Sequence, residues 1–413
     1  MVLAKTCPKS TEITRFHHRN HYSDDVKSVT YHHATTVEDR AIREIVGLAM
    51  DAPAHAKSGH PGTAMALAPL AVTLFSRVLR HNPTQPQWVD RDRFILSCGH
   101  ASILQYGIAR AFGYGLSRED LQAFRQPHSR TPGHPEVGVA PTVEVTTGPL
   151  GQGLANGVGM AIAERLLRSQ YGAGLVDHRT WVIAGDGCIE EGISHEAASL
   201  AGSLGLGRLN VIYDDNRITI DGGTDMSCSD DVAMRFRSYG WNVVDAGDPG
   251  DDLDAIENAV RAAASHRGAP SIVVLRTHIG FPSPDLTDNH TAHGNPFTAE
   301  HVTATKKVMG IPDEAFWAPA DLVTAYRNHV AARAAESMDA WRGAVGGRET
   351  DIVESMSVLA PEGWHSCLPS FGDDTNLATR QAFQKALEAS RDVLPAVMSG
   401  AADLTGNTGA QLD

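Results

Sequence analysis

The chain has 413 residues, of which 42% are hydrophobic and 20% charged, and it carries a formal net charge of −14. This length and composition indicate a globular protein of two or three domains and argue against a disordered or fibrous chain. The acidic balance argues against a broad surface for nucleic acid or for anionic membranes, so a phosphate ligand would need local donors or a metal ion.

The cysteines and the N-terminal segment indicate the compartment. The cysteines are scattered and odd in number: Cys7, Cys98, Cys188, Cys228 and Cys367. They form no C-x-x-C pair, which argues against a zinc site and indicates a reducing, cytoplasmic location. No apolar run reaches the roughly 20 residues of a membrane span. Residues 1–34 contain clustered histidines but no apolar signal-peptide core, so we predict a flexible leader there.

The first strongly periodic segment predicts a helix, because its apolar residues recur at the spacing of one helix face. These residues are Ile42, Ile45, Val46, Ala49 and Met50. The preceding residues 35–38, T-T-V-E, form a capping-box pattern at the start of this helix.

Short apolar strands then alternate with helices. We predict strands at residues 93–97, 181–184, 209–213 and 271–275, and helices at residues 64–79, 154–168, 189–204 and 253–264. A further helix opens at C-G-H-A-S, residues 98–102. This alternation is typical of the α/β class, with a parallel sheet flanked by helices on both faces.

After residue 316 the pattern loosens into Ala-rich helical and then irregular sequence, which predicts a connection between domains. A new amphipathic helix at residues 377–389 and an apolar strand at residues 395–398 follow. They predict the start of a second α/β domain.

The stretch W-V-I-A-G-D-G-C-I-E-E-G places Asp186 between two glycines at the end of a predicted strand. It is neither a G-x-G-x-x-G fingerprint nor a P-loop. A bare carboxylate would repel a phosphate by about 1 kcal/mol at 4 Å in water, and by more where it is shielded. A divalent cation reverses that sign, and Mg²⁺ shares about six oxygen ligands among carboxylates, phosphates and water.

A second oxygen ligand is predicted at Asn216, in Y-D-D-N-R-I-T-I-D-G, thirty positions after Asp186. One strand–helix–strand unit fits between the two residues, so both lie at the carboxyl edge of one sheet, where ligands bind in open α/β folds. The helix after Gly187 would direct its positive end at a diphosphate.

This spacing is the signature of thiamine diphosphate and Mg²⁺ binding, and the surrounding sequence resembles the transketolase family. The matching stretches are A-K-S-G-H-P-G, L-S-C-G-H-A-S, H-S-R-T-P-G-H-P-E, T-T-G-P-L-G-Q-G, G-D-G-C-I-E-E-G-I-S-H-E, Y-D-D-N-R-I-T-I-D-G and T-A-H-G-N-P-F. They occur in the family's order, and the resemblance covers the chain from residue 35 to its end. It implies a diphosphate-binding (PP) domain at residues 35–315, a connection at 316–375 and the start of a pyrimidine-binding (Pyr) domain at 376–413.

The resemblance also implies how the cofactor is held. Asp186, Asn216 and the carbonyl of Ile218 would bind Mg²⁺, for which Ca²⁺ or Mn²⁺ can substitute, and Gly187 would contact the diphosphate. The remaining implied cofactor contacts are His100, Gly148, Pro149, Leu150 and His293.

Three histidines would surround the reacting carbons of a sugar: His60, His134 and His293. Imidazole suits this task, because the reaction moves protons on sugar hydroxyls near neutral pH. Arg380 would bind the substrate phosphate, together with Asn407, which stands where the family usually has a serine. A second small departure is Ala101, where the family usually has glycine.

The implied activity is transfer of a two-carbon ketol unit from a ketose phosphate to an aldose phosphate, a step of the pentose phosphate pathway. The family acts as a homodimer, and Glu191, Glu196 and Asp403 match acids of its subunit interface. The family's catalytic glutamate would fall beyond Asp413, so we expect weakened cofactor binding and little turnover from these 413 residues alone.

Two alternatives stay open at this point. One is a related ketol transferase such as a dihydroxyacetone synthase. The other is a non-catalytic or split subunit, for which a partner chain would supply the missing Pyr and C-terminal domains. Sugar phosphates are the expected substrates, and neither a nucleic acid nor a membrane is an expected partner.

Overall fold

The computed structural model describes residues 36–347, 353, 360–373, 376–394 and 397–412. In these residues five parallel strands form one sheet in the order β1-β2-β3-β5-β4. The strands are β1 (Arg93–Leu96), β2 (Thr180–Gly185), β3 (Leu209–Asp215), β4 (Asn242–Gly247) and β5 (Ser271–Arg276). The predicted α/β class with a parallel, helix-flanked sheet is confirmed.

Helices cover the sheet and extend beyond it. They are α1 (Val37–Ala56), α2 (Pro61–Ala66), α3 (Ala68–Thr73), α4 (Ser102–Ala111), α5 (Arg118–Gln122), α6 (Gln152–Tyr171), α7 (Asp186–Glu190), α8 (Gly192–Leu204), α9 (Val232–Ser238), α10 (Leu253–Ser265), α11 (Thr291–Gly294), α12 (Ala299–Met309), α13 (Ala320–Val345), α14 (Thr379–Ser390) and α15 (Thr405–Thr408). Among the described helices we find none with the length and apolar character that crossing a membrane requires.

The central strands are buried because their side chains are apolar on both faces. All six residues of β2 are buried, as are the first six of β3. Helix α6 lies directly against this sheet, since a Cβ atom on Gly153 would come within 2.6 Å of the Ser97 Cα, and one on Gly157 within 2.6 Å of the Val182 Cγ2. Glycine at these positions therefore sets how closely the helix approaches the sheet.

Three details differ from the predicted elements. The capping box of α1 is formed by Thr36 and Asp39, one residue later than predicted. The helix predicted at residues 189–204 is two helices, because Glu191 adopts an extended conformation (φ −64°, ψ 137°) between α7 and α8. The helix predicted at residues 64–79 begins earlier and is interrupted at Leu67, and its last turn, Leu74–Val78, is a π-helix.

The predictions contained no counterpart for the edge strand β4 or for the helices α5, α9, α11, α12 and α15. Residues of β4 are half-buried or exposed, so the strand lacks the apolar run that marks β2 and β3. The strand predicted at residues 395–398 is wrong where it can be checked, because Val397 and Met398 lie in no strand. Its first two residues, like the predicted leader at 1–34, lie outside the described residues.

Helix α13 packs on the same hydrophobic core as the sheet. Its residues Leu322, Tyr326 and Val330 are buried in that core. Farther along, Met338 and Trp341 join a smaller apolar cluster with Trp88. The domain boundaries proposed from the sequence stay predictions, but the chain up to Val345 packs against the first domain.

Helix α1 buries a carboxyl group that has no hydrogen-bond partner among the described residues. Glu44 is fully buried (0% exposed), and neither of its carboxyl oxygens has a hydrogen-bond partner among the described residues. This burial raises the pKa of Glu44 from 4.5 to about 7, although Arg110 and Arg40 act in the opposite direction. The folded protein therefore holds this proton more tightly than the unfolded chain.

Stability is expected to fall as the pH rises from about 4.5 to above 7, by about 3 kcal/mol from this one group. Glu44→Gln is expected to remove that loss and to be the more stable protein at pH 8. Urea unfolding of both proteins at pH 5 and pH 8 measures this. Equal pH dependence in wild type and variant would contradict the assignment.

Candidate functional site

A cleft with a volume of about 330 Å³ opens at the carboxyl ends of β1, β2 and β3. Residues predicted from distant parts of the sequence line it together: His60, His100, His134, Gly148, Leu150, Asp186, Gly187, Asn216, Ile218 and His293. The volume lies within the range of small-molecule and cofactor sites. The position agrees with the general rule that open α/β sheets bind ligands at this edge.

The carboxylate of Asp186 is at the base of the cleft. It is 6% exposed, and its two oxygens accept hydrogen bonds from the Tyr213 hydroxyl (2.5 Å) and from the Arg217 N–H (3.2 Å). Burial is the main reason that the pKa of Asp186 is raised to about 7, and the nearby Asp214 and Asp215 add to it. A cation here would offset that unfavourable charge.

The amide of Asn216 follows the next strand. Its Nδ2 donates to the Asp214 Oδ2 over 2.8 Å, and its Oδ1 accepts from the Ile218 N–H over 2.9 Å. Gly185 of β2 and Asp214 of β3 are direct partners in the sheet, so the two predicted metal ligands Asp186 and Asn216 each follow one member of this pair. Burial raises the pKa of Asp214 to about 6.

Three of the histidines form a cluster within the cleft. The ring centroids of His60 and His100 are 5.0 Å apart, those of His100 and His293 are 5.0 Å apart, and those of His60 and His293 are 5.9 Å apart. His293 lines the cleft, whereas its neighbour His290 is exposed. Of these two neighbouring histidines, the structure therefore places His293 in the cleft.

Each of these histidines is positioned by a different element. His60 precedes Pro61 at the start of α2, and His293 lies in α11. The two elements touch closely, because a Cβ atom on Gly62 would lie 2.5 Å from the Ala292 carbonyl oxygen. Glycine at position 62 thus permits the contact that brings the two imidazoles together.

His100 and His134 are held from β1 and α4. His100 lies in the short 3₁₀ turn Gly99–Ala101 that follows β1. The segment that carries His134 is tied to α4, since the Ser102 hydroxyl donates to the Gly133 carbonyl (2.9 Å) and the Tyr106 hydroxyl to the Pro132 carbonyl (2.9 Å).

Desolvation shifts all four imidazoles towards the neutral form. Burial lowers the pKa of His60 to about 4, and it lowers the pKa values of His100, His134 and His293 as well. Mutual repulsion with neighbouring histidines and with Arg125 adds to the effect on the first two. A neutral imidazole offers one N–H donor and one acceptor nitrogen, so each ring can take up or release a proton.

The glycine-rich turn before α6 closes one side of the cleft. Gly151 starts α6 in the left-handed region (φ 78°), and the Ser97 hydroxyl accepts from the Leu154 N–H over 3.1 Å. A Cβ atom on Gly187 would lie 2.8 Å from the Leu150 Cδ1. The absence of a side chain at position 187 therefore lets Leu150 lie against the end of β2.

Several predicted residues lie elsewhere. Pro149 is exposed and does not line the cleft. Arg380, in α14, and Asn407, in α15, are also exposed and outside it. The predicted interface acids Glu191, Glu196 and Asp403 are exposed. The roles of these six residues stay predictions.

The cleft also contains residues that sequence reasoning did not single out: Thr63, Cys98, Gly185, Cys188, Asp214, Thr219, Ile220 and Asp221. All of them except Thr63 belong to the stretches that carried the resemblance, such as L-S-C-G-H-A-S and Y-D-D-N-R-I-T-I-D-G. Proximity to the predicted ligands is the signal that could have found Asp214, which is two positions from Asn216.

The donor set fits a hard divalent cation with a phosphate-bearing ligand. No cluster of three or more His, Cys, Asp or Glu suited to a metal occurs among the described residues. The predicted set combines one carboxylate oxygen with an amide oxygen and a backbone carbonyl oxygen, all of them on the cleft, and such oxygens are the ligands that Mg²⁺ prefers. The buried His60 Nδ1, His293 Nδ1 and Thr63 Oγ1 have no partner within the described part of the chain and can bind a polar ligand.

Comparison with known proteins decides the family. The family model described as "Transketolase, thiamine diphosphate binding domain" matches residues 37–359. The chain belongs to the transketolase family. The resemblance stated from the sequence motifs is thereby confirmed.

Curated members of the transketolase family align with most of this chain. "Transketolase 1" of Aliivibrio fischeri is 46% identical over 373 residues, which are 87% of this chain and 56% of that protein. "Transketolase, chromosomal" of Cupriavidus necator is 46% identical over the same shares. The chain thus spans 56% of the length of these relatives.

Solved transketolase structures have the same fold. A transketolase from Pichia stipitis in complex with sedoheptulose 7-phosphate superposes with a TM-score of 0.83 at 39% identity, over 91% of this chain and 57% of that one. Transketolase from Leishmania mexicana gives a TM-score of 0.82 at 37% identity, over 92% and 57%. The sheet described above is therefore the N-terminal fold of the transketolase family.

Proposed function

We propose that the protein is a transketolase and that the cleft binds thiamine diphosphate together with Mg²⁺. The observation that carries the proposal is the convergence of Asp186, Asn216 and four histidines on one cleft. When bound, thiamine diphosphate supplies the electron sink for breaking a carbon–carbon bond beside a carbonyl group.

Asp186, Asn216 and the Ile218 carbonyl are proposed to hold the Mg²⁺ ion, with Ca²⁺ or Mn²⁺ as substitutes. Support comes from the oxygen character of all three donors and from the raised pKa of Asp186, which a bound cation would lower again. Gly187 is proposed to lie against the diphosphate. His100, Gly148, Leu150 and His293 complete the proposed cofactor contacts, and Pro149 retains the role that the family resemblance implies.

His60, His134 and His293 are proposed to bind sugar hydroxyls and to exchange protons with them. The partial burial of His60 and His293 favours this role, because desolvation favours the neutral imidazole and strengthens hydrogen bonds in the cleft. Arg380 and Asn407 are proposed to bind the substrate phosphate.

Ketol transfer between sugar phosphates is proposed as the activity of the protein to which these residues belong. Support comes from the transketolase names of the curated relatives and from the sugar phosphate named with the Pichia stipitis structure. We further propose a cytoplasmic homodimer whose interface includes Glu191, Glu196 and Asp403. The domain division at residues 35–315, 316–375 and 376–413 is part of the same proposal.

Calorimetric titration with thiamine diphosphate tests the cofactor assignment. Binding is expected with Mg²⁺ present and is expected to disappear when the ion is removed with EDTA. Equal binding in EDTA would contradict the metal assignment, and no binding under either condition would contradict the cofactor assignment.

A panel of donor and acceptor sugars, assayed with the complete protein, tests the activity. Ketol transfer to aldose phosphates is expected. Transfer restricted to non-phosphorylated acceptors would point instead to a related ketol transferase of the dihydroxyacetone synthase kind.

A further inference from the structure

The Asn216 side-chain amide has hydrogen-bond partners that fix the positions of its oxygen and its NH₂ group. Asp214 is fully buried (0% exposed) at the end of β3, and Asn216 is 3% exposed. The Asn216 Nδ2 donates to the Asp214 Oδ2 over 2.8 Å. An ionised carboxylate can only accept hydrogen bonds, so it selects the NH₂ end of the amide.

The opposite end of the amide is selected independently. The Ile218 N–H donates to the Asn216 Oδ1 over 2.9 Å, and a backbone N–H requires an acceptor. The neighbouring Arg217 N–H donates to the Asp186 Oδ2 over 3.2 Å, which places the Asn216 segment directly against Asp186. The amide oxygen therefore lies on the side of the segment that faces away from Asp214.

Asp214 is itself held by a residue of another strand. The Thr277 hydroxyl, which follows the end of β5, donates to the Asp214 Oδ1. In the sheet, Asp214 pairs with Gly185 of β2 on one side and with Leu275 of β5 on the other. Both carboxylate oxygens are thus occupied by donors, so the carboxylate cannot rotate without losing a buried hydrogen bond.

We propose that Asp214 and Thr277 are positioning residues that hold the Asn216 amide with its oxygen, rather than its NH₂ group, available to the cation. The inference rests on the proposed metal site at Asp186, Asn216 and Ile218. An NH₂ group has no lone pair for a metal ion, so a flipped amide would remove one ligand and place two N–H bonds towards a positive charge.

The measurement is the Mg²⁺ concentration that gives half-maximal thiamine diphosphate binding, determined by calorimetry on the 413-residue chain. Asp214→Leu removes the acceptor for the NH₂ group, and we expect this concentration to rise by about 10- to 100-fold, as is typical for residues that orient a metal ligand. Asp214→Asn keeps an acceptor oxygen for Asn216 and donates its own NH₂ group to Thr277. We expect a rise of only about threefold, well below the lower end of that range.

Thr277→Val frees one oxygen of Asp214, and we expect an intermediate rise of about tenfold, with recovery in Thr277→Ser. Thr305→Val is the matched control, because Thr305 is likewise a buried threonine and donates to a carbonyl, that of His301 (2.7 Å), outside the cleft. Thermal unfolding of each apo variant separates a loss of stability from a loss of cation affinity. If Asp214→Leu does not fold, the comparison of Thr277→Val with Thr305→Val decides.

Two results would overturn the inference while leaving the proposed function intact, provided that Asp186→Ala abolishes Mg²⁺-dependent binding. One is an unchanged half-saturating Mg²⁺ concentration in Thr277→Val. The other is an effect of Asp214→Asn as large as that of Asp214→Leu, which would assign Asp214 the role of a nearby charge. If the wild-type protein binds thiamine diphosphate as well in EDTA as with Mg²⁺, that result would overturn both this inference and the proposed metal site.

Discussion

Replacing Asp186 with alanine is expected to abolish Mg²⁺-dependent binding of thiamine diphosphate, with a loss of more than about 100-fold in affinity. This exceeds the 10- to 100-fold typical of residues that only orient a ligand, because Asp186 supplies the charge in the proposed donor set. The carboxylate is buried between β2 and the Asn216 segment. Calorimetric titration at several Mg²⁺ concentrations measures the effect.

A second substitution at this position, Asp186→Asn, separates binding from stability. Because burial raises the pKa of Asp186 above its ordinary value of 3.8, to about 7, its ionisation costs folding free energy; this cost is absent at low pH, grows as the pH rises from 3.8 to about 7 and is constant above that. Asp186→Asn is therefore expected to unfold at a higher temperature than wild type at pH 8, while losing the cofactor. Asp245→Ala is the matched control, since Asp245 is exposed on the edge strand β4 and outside the cleft. Retained Mg²⁺-dependent binding in Asp186→Ala would contradict the assignment.

Replacing Lys306 with methionine is expected to destabilise the fold by about 3–5 kcal/mol, the usual cost of breaking a buried ion pair. The Lys306 Nζ lies 2.9 Å from each carboxylate oxygen of Asp51 and 2.8 Å from the Glu314 carbonyl oxygen. The Phe316 N–H also donates to Asp51, over 2.7 Å. These bonds join α1 to α12 and to the chain that leads into α13. Urea unfolding measures the loss.

Two further variants make that result specific. Lys307→Met changes the neighbouring lysine, which is exposed, and is expected to alter stability by less than about 0.5 kcal/mol. The double variant Asp51→Leu with Lys306→Met removes both charges and is expected to recover most of the stability, because the uncompensated charge is the main penalty. A single Lys306→Met variant as stable as wild type would show that the pair contributes nothing to the fold.

The parts of the fold that could be predicted are those in which burial leaves a local pattern. Strands β2 and β3 each contain a run of buried apolar residues, and α1 and α10 have apolar residues at helical spacing, so each is marked by its own residues. The edge strand β4 is half-exposed and has no such mark. The break at Glu191 depends on how α7 and α8 each pack, which no local pattern records.

In the candidate site too, some residues could be predicted from local sequence and others meet only after distant elements pack. Asp186 and Asn216 could be predicted from physics, because one strand–helix–strand unit places both at the same edge of the sheet. The four histidines were found through the family resemblance, since residues 60, 100, 134 and 293 meet only after α2, α4 and α11 have packed. The contact between Thr277 and Asp214 could not be predicted, because it requires β5 to lie between β3 and β4.

The most direct test of the metal assignment is a crystal structure of the chain grown with thiamine diphosphate and Mn²⁺, with anomalous data that locate the ion. We predict one Mn²⁺ ion bound by the Asp186 carboxylate, the Asn216 Oδ1 and the Ile218 carbonyl, with the diphosphate completing its ligands. An ion bound elsewhere, or a diphosphate in the cleft without an ion at Asp186, would contradict the account.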